Sequence, residues 1–497
     1  MGVIRAFSIP QFCFVKQIGQ RANLALILLA SVPFGASWAL AQAPNPSSAA
    51  NPFYGSVTAH PATDETLQLS LDEAVKRGLE NNLGLKQSEA AQKALDGEKL
   101  EAFQAFLPLI QLSGGTGVHQ FNLAALGFSP GLLNKFKSIF PGGVVPPGLS
   151  TITRADVTQG QFQYSQTLFS GPVFAGFKAA GAADRAANFA RMSARGEVVQ
   201  QVATAYLHAL AAASEVDNAR ALESSDQLTF EQAHAAHEAG TASNLDELRA
   251  RVQLQAQQQA LIAAQNALEK DLILLKREIG IAPGQKVALT DPTPSSELGA
   301  QTPDDVRDIA YKNRQDYQNL LNQAVEYKAI HGAYRSYRLP TLSFDGYWGV
   351  TTVNDAGTHG TFAAQGTLSI PLFREAKQRG DVEAAQAQMD SVNGQLADLR
   401  THIDQQVRVA LLDLDATRQL VEVARSNVEL ATRTVSDETD RVNAGVDDNL
   451  PLVEAQSSLA SAESNLIESL YQYSLAKLAL ARASGVLEAQ YRVYLGK

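Results

Sequence analysis

Ala239-Gly240-Thr241-Ala242-Ser243-Asn244-Leu245 and, 205 residues later, Ala444-Gly445-Val446-Asp447-Asp448-Asn449-Leu450 are two versions of one turn, an Ala-Gly step with Asn-Leu four residues on. The same offset carries Gln200-Gln201-Val202 onto Gln405-Gln406-Val407, and Glu278-Ile279-Gly280-Ile281 onto Ala483-Ser484-Gly485-Val486. Farther upstream the offset is 232: Asn81 matches Asn313, and Leu107-Pro108 matches Leu339-Pro340. The difference, 27 residues, is extra length in the first copy between Pro108 and Gln200. It is assigned to the Gly/Pro-rich stretch Asn122–Ser150, which reads as a long loop. A period near 200 is far too long for a solenoid. The chain reads as a duplicated half-molecule.

Working outward from the turns, each copy has one internal order. A helix (about 71–106, then about 303–337) runs into the Leu-Pro step. Two strand-like segments follow, then a very long helix (about 174–238, then about 375–441). The Gly turn leads into a return helix (about 245–279, then about 450–484). At 1.5 Å per residue the long helix of the first copy spans roughly 100 Å, and the two shorter ones roughly 54 and 52 Å. Placed end to end, the short helices match the long one.

The long helices carry a coiled-coil period. Ile403, Val407, Ala410, Leu414, Thr417, Val421, Ala424, Val428, Ala431 and Val435 step by four and three in alternation, as do Val199, Val202, Tyr206, Ala209, Ala213 and Val216. A sustained period of about 3.5 winds helices around one another. Many of these positions are Ala, which allows close approach but supplies little burial per residue. Such helices need neighbours on both sides.

The strands carry a period of two. In Leu342–Val350, the residues Leu342, Phe344, Gly346, Trp348 and Val350 alternate with Ser343, Asp345, Tyr347 and Gly349; in Thr361–Leu372, Phe362, Leu368, Ile370 and Leu372 alternate with Gln365, Thr367 and Ser369. The first copy sets Phe162, Tyr164 and Leu168 against Gln159, Gln161, Gln163 and Ser165, and Gln111–Phe121 alternates more weakly. Strands of about 9–11 residues, apolar on one face, span an outer membrane as parts of a closed barrel. A small soluble sandwich alternates in the same way. The Gln, Thr and Ser of the polar faces and the export signal below favour the membrane. Four strands are too few to close a barrel, whose minimum is about eight. Three chains would supply twelve.

Composition narrows the function classes. Of 497 residues 45% are hydrophobic and 19% charged, ordinary for a folded chain. The formal charge of −10 argues against a nucleic-acid partner. Residues 1–43 read as a signal peptide: Arg5, Lys16 and Arg21, then the apolar run Leu24–Pro33, then Ala41-Gln42-Ala43. Pro33, Gly35 and Ser37 interrupt the run, which weakens a membrane-anchor reading. Cleavage removes Cys13, the single cysteine, and one of two tryptophans. No later run is apolar enough for a transmembrane helix. The expected organisation is an extended segment at 44–68, a first repeat at 69–281, a linker at 282–302, a second repeat at 303–486 and a tail at 487–497.

The paired Leu-Pro steps, the Leu-Phe strand ends (Leu168-Phe169, Leu372-Phe373) and the two hairpin turns, in this order and twice over, resemble the TolC-like outer-membrane efflux protein family across about residues 69–486. The resemblance implies a mixed α and β membrane protein. Its trimer has a twelve-stranded β-barrel in the outer membrane, four strands per chain, continuing into a twelve-helix α-barrel that crosses the periplasm. It also implies partners: a periplasmic adaptor protein and an inner-membrane transporter, with drugs, metals or polypeptides as cargo. In the family the periplasmic tip closes as an iris ringed by acidic residues. Glu454 matches one ring position, and Pro451 stands where the other acidic residue would be. Asp246 matches an acidic residue that pairs with an arginine of the second repeat, but Asp447, followed by Asp448, holds the arginine's place. The family's salt bridge therefore has no counterpart here.

Asp246, Asp447, Asp448 and Glu454 are accordingly expected to form a negative aperture that favours cations; the alternative is a pair of solvated turns, where exposed charges are common. Adaptor contacts are expected beside Gly240, Asn244, Gly445 and Asn449, by resemblance. Phe162, Tyr164, Phe344, Trp348 and Phe362 are the expected membrane-facing strand residues, with Trp348 a candidate for the aromatic girdle. His234 and His237 lie three apart, a spacing that sets two imidazoles on one helical face, but no third metal ligand is visible. No Gly-x-Ser-x-Gly, phosphate loop or ligand cluster is present, so no catalytic, cofactor or metal site is assigned. The competing reading from another class is a soluble periplasmic coiled-coil scaffold.

Overall fold

A computed structural model describes residues 47–57, 61–122, 135, 152–241, 243–292, 294, 296–299, 301–354, 357–444 and 450–496. The signal segment and nearly all of the Asn122–Ser150 loop lie outside the described residues. In chain order the elements are β1 (Leu67–Leu69), α1 (Leu71–Asn81), α2 (Leu83–Gln104), β2 (Leu109–Asn122), β3 (Ile152–Phe169), α3 (Gly171–Glu238), α4 (Asn244–Ile279) and β4 (Val287–Leu289). Then come α5 (Pro303–Asn313), α6 (Gln315–Ser336), β5 (Thr341–Val353), β6 (Thr358–Ser369), α7 (Glu375–Asn443), α8 (Leu450–Ala483) and α9 (Leu487–Leu495).

The stretches expected as single helices over 71–106 and 303–337 are each two helices. Asn82 breaks the first (ψ 133°), and Arg314 breaks the second (ψ 121°), again 232 residues apart. At Asn82 the cause is a side chain that competes with the helix. Its Oδ1 accepts from the Leu85 amide at 3.2 Å, capping α2, and its Nδ2 donates to the Phe53 carbonyl at 2.7 Å. Arg314 is 8% exposed, and its guanidinium donates to Gln406 Oε1 at 2.6 Å and Asp316 Oδ2 at 2.6 Å.

The two long helices, of 68 and 69 residues, organise the rest. The first half of α3 packs between α2 and α6, and its second half between α4 and α8. Helix α7 packs on α6 and α8. All ten heptad positions from Ile403 to Val435 are buried or half-buried, with Ile403 and Val407 closed to solvent. A hydrophobic core gathers around the middle of α3, where Leu69, Leu71, Leu85, Val198, Val202, Tyr206, Leu275, Ile279, Ile403, Leu478 and Leu495 meet. The Tyr206 hydroxyl donates to the Leu69 carbonyl at 3.1 Å.

Two segments that read as connections are structured. Within 282–302, β4 pairs in parallel with β1, Leu67 opposite Val287 and Leu69 opposite Leu289. The tail forms α9, which buries Leu487, Tyr491, Tyr494 and Leu495.

The remaining strands form one antiparallel sheet in the order β2-β3-β5-β6. They are 14, 18, 13 and 12 residues long, more than their apolar alternation alone marks out. Strand β6 ends at Ser369 and not at Leu372, because Pro371 has no amide to give to a ladder. Leu372 and Phe373 stand beyond it, more than nine-tenths exposed. At Gly349 a Cβ would lie 2.2 Å from the Gly160 carbonyl oxygen, so the close β3–β5 approach requires glycine there.

Candidate functional site

The sheet's register sorts its side chains. Leu112, Phe162, Trp348 and Phe362 lie opposite one another across all four strands. Directly paired antiparallel residues share a face, so these four form one apolar row. They are 73%, 53%, 64% and 79% exposed. The Phe162 and Trp348 rings stack with centroids 6.5 Å apart, and Tyr164 meets Phe344 edge-on at 5.8 Å. All five of the aromatic residues picked from the sequence fall on this face. The other face carries Gln111, Gln163 and Tyr347 in one row, and Ser113, Gln161 and Thr361 in the next. There Ser165 Oγ donates to Asp345 Oδ1 at 2.6 Å. Among the described residues the outer strands β2 and β6 each pair on one side only, leaving two edges of unpaired backbone groups.

A second unpartnered surface runs along α7. Val409, Leu412, Leu420, Val423 and Leu430 are 47–70% exposed and repeat at coiled-coil spacing, on a different face from the buried Ile403–Val435 stripe.

At the far end of α3, Gly240 takes φ +74° and closes the helix, and Thr241 donates from its amide to the Ala236 carbonyl at 2.9 Å. Ser243 then caps α4 in a reciprocal box: its Oγ accepts from the Asp246 amide at 3.3 Å, and the Ser243 amide donates to Asp246 Oδ2 at 3.3 Å. Asp246 Oδ1 faces Arg249 Nη1 at 3.4 Å. Asp246 is therefore engaged within its own helix. Asn244 is exposed in the first turn of α4, and Glu454 is exposed near the start of α8. Gly445, Asp447, Asp448 and Asn449 lie outside the described residues.

His234 and His237 converge on a residue that the sequence reading passed over. Glu247 of α4 sits 3.0 Å from His234 Nδ1 and 3.9 Å from His237 Nε2, while the Phe230 ring stacks on His234. The signal was available, because a tight turn at Gly240 brings residues on either side of it face to face. Among the described residues no group of three His, Cys, Asp or Glu is placed to hold a metal ion. The histidines are a hairpin clasp built on one carboxylate.

A polar seam between α3 and α8 was also missed. Gln456 Nε2 donates to Thr229 Oγ1 at 2.9 Å, and Ser464 Oγ to Glu215 Oε1 at 2.6 Å. Beside them Asp226 is 2% exposed, and burial pushes its carboxyl up to about 6. It occupies a place in the buried stripe of Val216, Ala219, Leu222 and Ala233.

Among the described residues no helix is long and apolar enough to cross a membrane. Comparison with known proteins places the geometry in context. The family model described as "Outer membrane efflux protein" matches residues 74–280 and 308–486. No curated protein matches the chain in sequence. Among solved structures, a membrane protein from Pseudomonas aeruginosa aligns with a TM-score of 0.68 at 20% identity, over 84% of this chain and 93% of that one. The outer membrane protein VceC from Vibrio cholerae aligns with 0.66 at 16%, over 84% and 96%. The MtrE outer membrane channel of Neisseria gonorrhoeae, solved in its open state, aligns with 0.66 at 16%, over 87% and 95%. These likenesses carry the mixed, mostly helical fold, and the family model carries the rest. The chain belongs to the outer membrane efflux protein family and is a TolC-like protein of the outer membrane with a helical portion in the periplasm.

Proposed function

We propose that this chain is the outer-membrane exit duct of a tripartite efflux or type I secretion system, working as a homotrimer that conducts cargo passively. It receives cargo from an inner-membrane transporter through a periplasmic adaptor, and uses no cofactor. The observation that carries this reading is the exposed row Leu112–Phe162–Trp348–Phe362 on a sheet with two unpaired edges. An apolar face left in water is costly, and open edges invite pairing. Pairing β6 of one chain with β2 of the next removes both edges and turns the row toward lipid. The exposed stripe of α7 argues for the same neighbour. In this reading the chain is two copies of one half-molecule, at 69–281 and 303–486, supported by the helix breaks at Asn82 and Arg314.

At the periplasmic end, Asp246, Asp447, Asp448 and Glu454 would form the acidic aperture. The turns at Gly240, Asn244, Gly445 and Asn449 would seat the adaptor. The test is the native mass of the mature chain after detergent extraction of outer membranes. Three chains per particle are expected; a monomer or dimer released without detergent would overturn the reading and leave a soluble scaffold.

A further inference from the structure

One cavity is unlike the rest of this acidic chain. It has a volume of about 640 Å³ and lies where α3, the α5–α6 junction and the α8–α9 junction meet. Four arginines line it: Arg191 and Arg195 from α3, Arg314 from the helix break, and Arg482 from the end of α8. Three of them have a carboxylate. Arg195 meets Glu488 at 2.7 Å, Arg314 meets Asp316 at 2.6 Å, and Arg482 meets Glu197 at 2.8 Å.

Arg191 has none among the described residues. Its Nη2 donates to Asn188 Oδ1 at 3.1 Å, and its Nε is shut away from solvent with no acceptor. The guanidinium is a planar fork whose natural complement is an oxyanion with two oxygens, a carboxylate or a phosphate. Nothing in the chain's bulk charge calls for an unpaired cation here, because acidic residues outnumber basic ones by 51 to 41. The cavity falls within the usual range for small-ligand sites, about 300–1,000 Å³.

We propose that this cavity is a binding site for a small oxyanion, a carboxylate or phosphate, with Arg191 as the recognition residue. Arg195, Arg314 and Arg482, each tied to its own carboxylate, hold the walls, which leaves Arg191 as the cation without a counter-charge among the described residues. None of the proposed aperture residues lines the cavity, and the proposal does not rest on the trimeric reading.

The experiment is isothermal titration of the detergent-purified, full mature protein with citrate and with inorganic phosphate, at low ionic strength. Saturable binding at one site per chain is expected for at least one of them. Citrate alone identifies a carboxylate ligand, and phosphate alone a phosphoryl one. Arg191→Met should lower the affinity at least tenfold while leaving the native mass and the ligand-free melting temperature unchanged. Arg191→Lys keeps the charge but loses the fork, and should fall between the two; it carries the test if Arg191→Met fails to assemble. Absence of saturable binding of either anion up to about 10 mM, beyond the roughly millimolar range where weak sites saturate, would overturn the proposal. So would equal affinity in the Arg191 variants.

Discussion

The ammonium of Lys477 is closed to solvent and donates to the Ser296 carbonyl at 3.1 Å, pinning the connection between the two halves onto α8. Tyr473 completes the fixture: its ring lies 4.6 Å from the same ammonium, and its hydroxyl accepts from the Leu298 amide at 3.2 Å. A stretch rich in Pro, Ser and Gly is thus held by two side chains of a distant helix.

Burial lowers Lys477 to about 8 from its ordinary 10.5. Between those values the unfolded chain binds the extra proton, so this group makes the fold more stable as pH rises through that window. Lys477→Met keeps the stem's bulk and removes the titration. In thermal melts at pH 7, 8.5 and 10 the wild type should gain stability relative to the variant as pH rises.

Glu278 behaves in the opposite sense. It is 4% exposed, its Oε2 has no hydrogen-bond partner, and burial pushes its carboxyl up to about 8 from 4.5. A raised carboxyl pKa means that stability present below pH 4.5 is lost as pH rises through about 8. Glu278→Gln, neutral at every pH, should be more stable than the wild type by about 1–3 kcal/mol at pH 7.5. At pH 4.5 the two should melt together, and a constant gap across pH would remove the titration as its cause.

Gly485 takes φ +76° at the end of α8, and a Cβ there would lie 2.7 Å from the Arg314 amide nitrogen and 2.8 Å from the Asn313 carbonyl carbon. Both neighbours are backbone and cannot swing aside. Gly485→Ala should cost about 2 kcal/mol or more. Gly332→Ala, in α6 with open space around it, should instead stabilise by about 0.5–1 kcal/mol. Denaturation midpoints of the two variants should move in opposite directions.

The acidic aperture is tested by conductance. Replacing Asp246, Asp447, Asp448 and Glu454 together with Asn or Gln should bring the cation-to-anion permeability ratio of single channels down toward one. Unchanged selectivity would leave these residues as solvated turns. Asp246→Asn alone should also weaken the start of α4, by about 0.3–1 kcal/mol, the worth of a negative charge in the first helical turn.

The long helices were legible because a heptad period sustained over thirty residues survives any local noise. The strands were legible because aromatic residues alternate with Gln and Ser. Asn82 and Arg314 were not, since each break is made by the hydrogen bonds of one side chain to distant partners, which no local sequence pattern records. Nor was the β1–β4 pair, since three-residue strands are too short to show a period. At the tip, His234 and His237 stood out by spacing, yet their partner Glu247 comes from the next helix. The Arg191 cavity draws on three segments spread between residues 191 and 490, and no local pattern joins them.

Trp348 gives the most direct test of the central claim, that the apolar row faces lipid. With the signal segment removed it is the single tryptophan, so its fluorescence reports one place on the sheet. In outer-membrane lipid vesicles carrying brominated acyl chains, its emission should be quenched several-fold, and aqueous iodide should have little effect. Strong quenching by iodide with none from the brominated lipid would contradict the account.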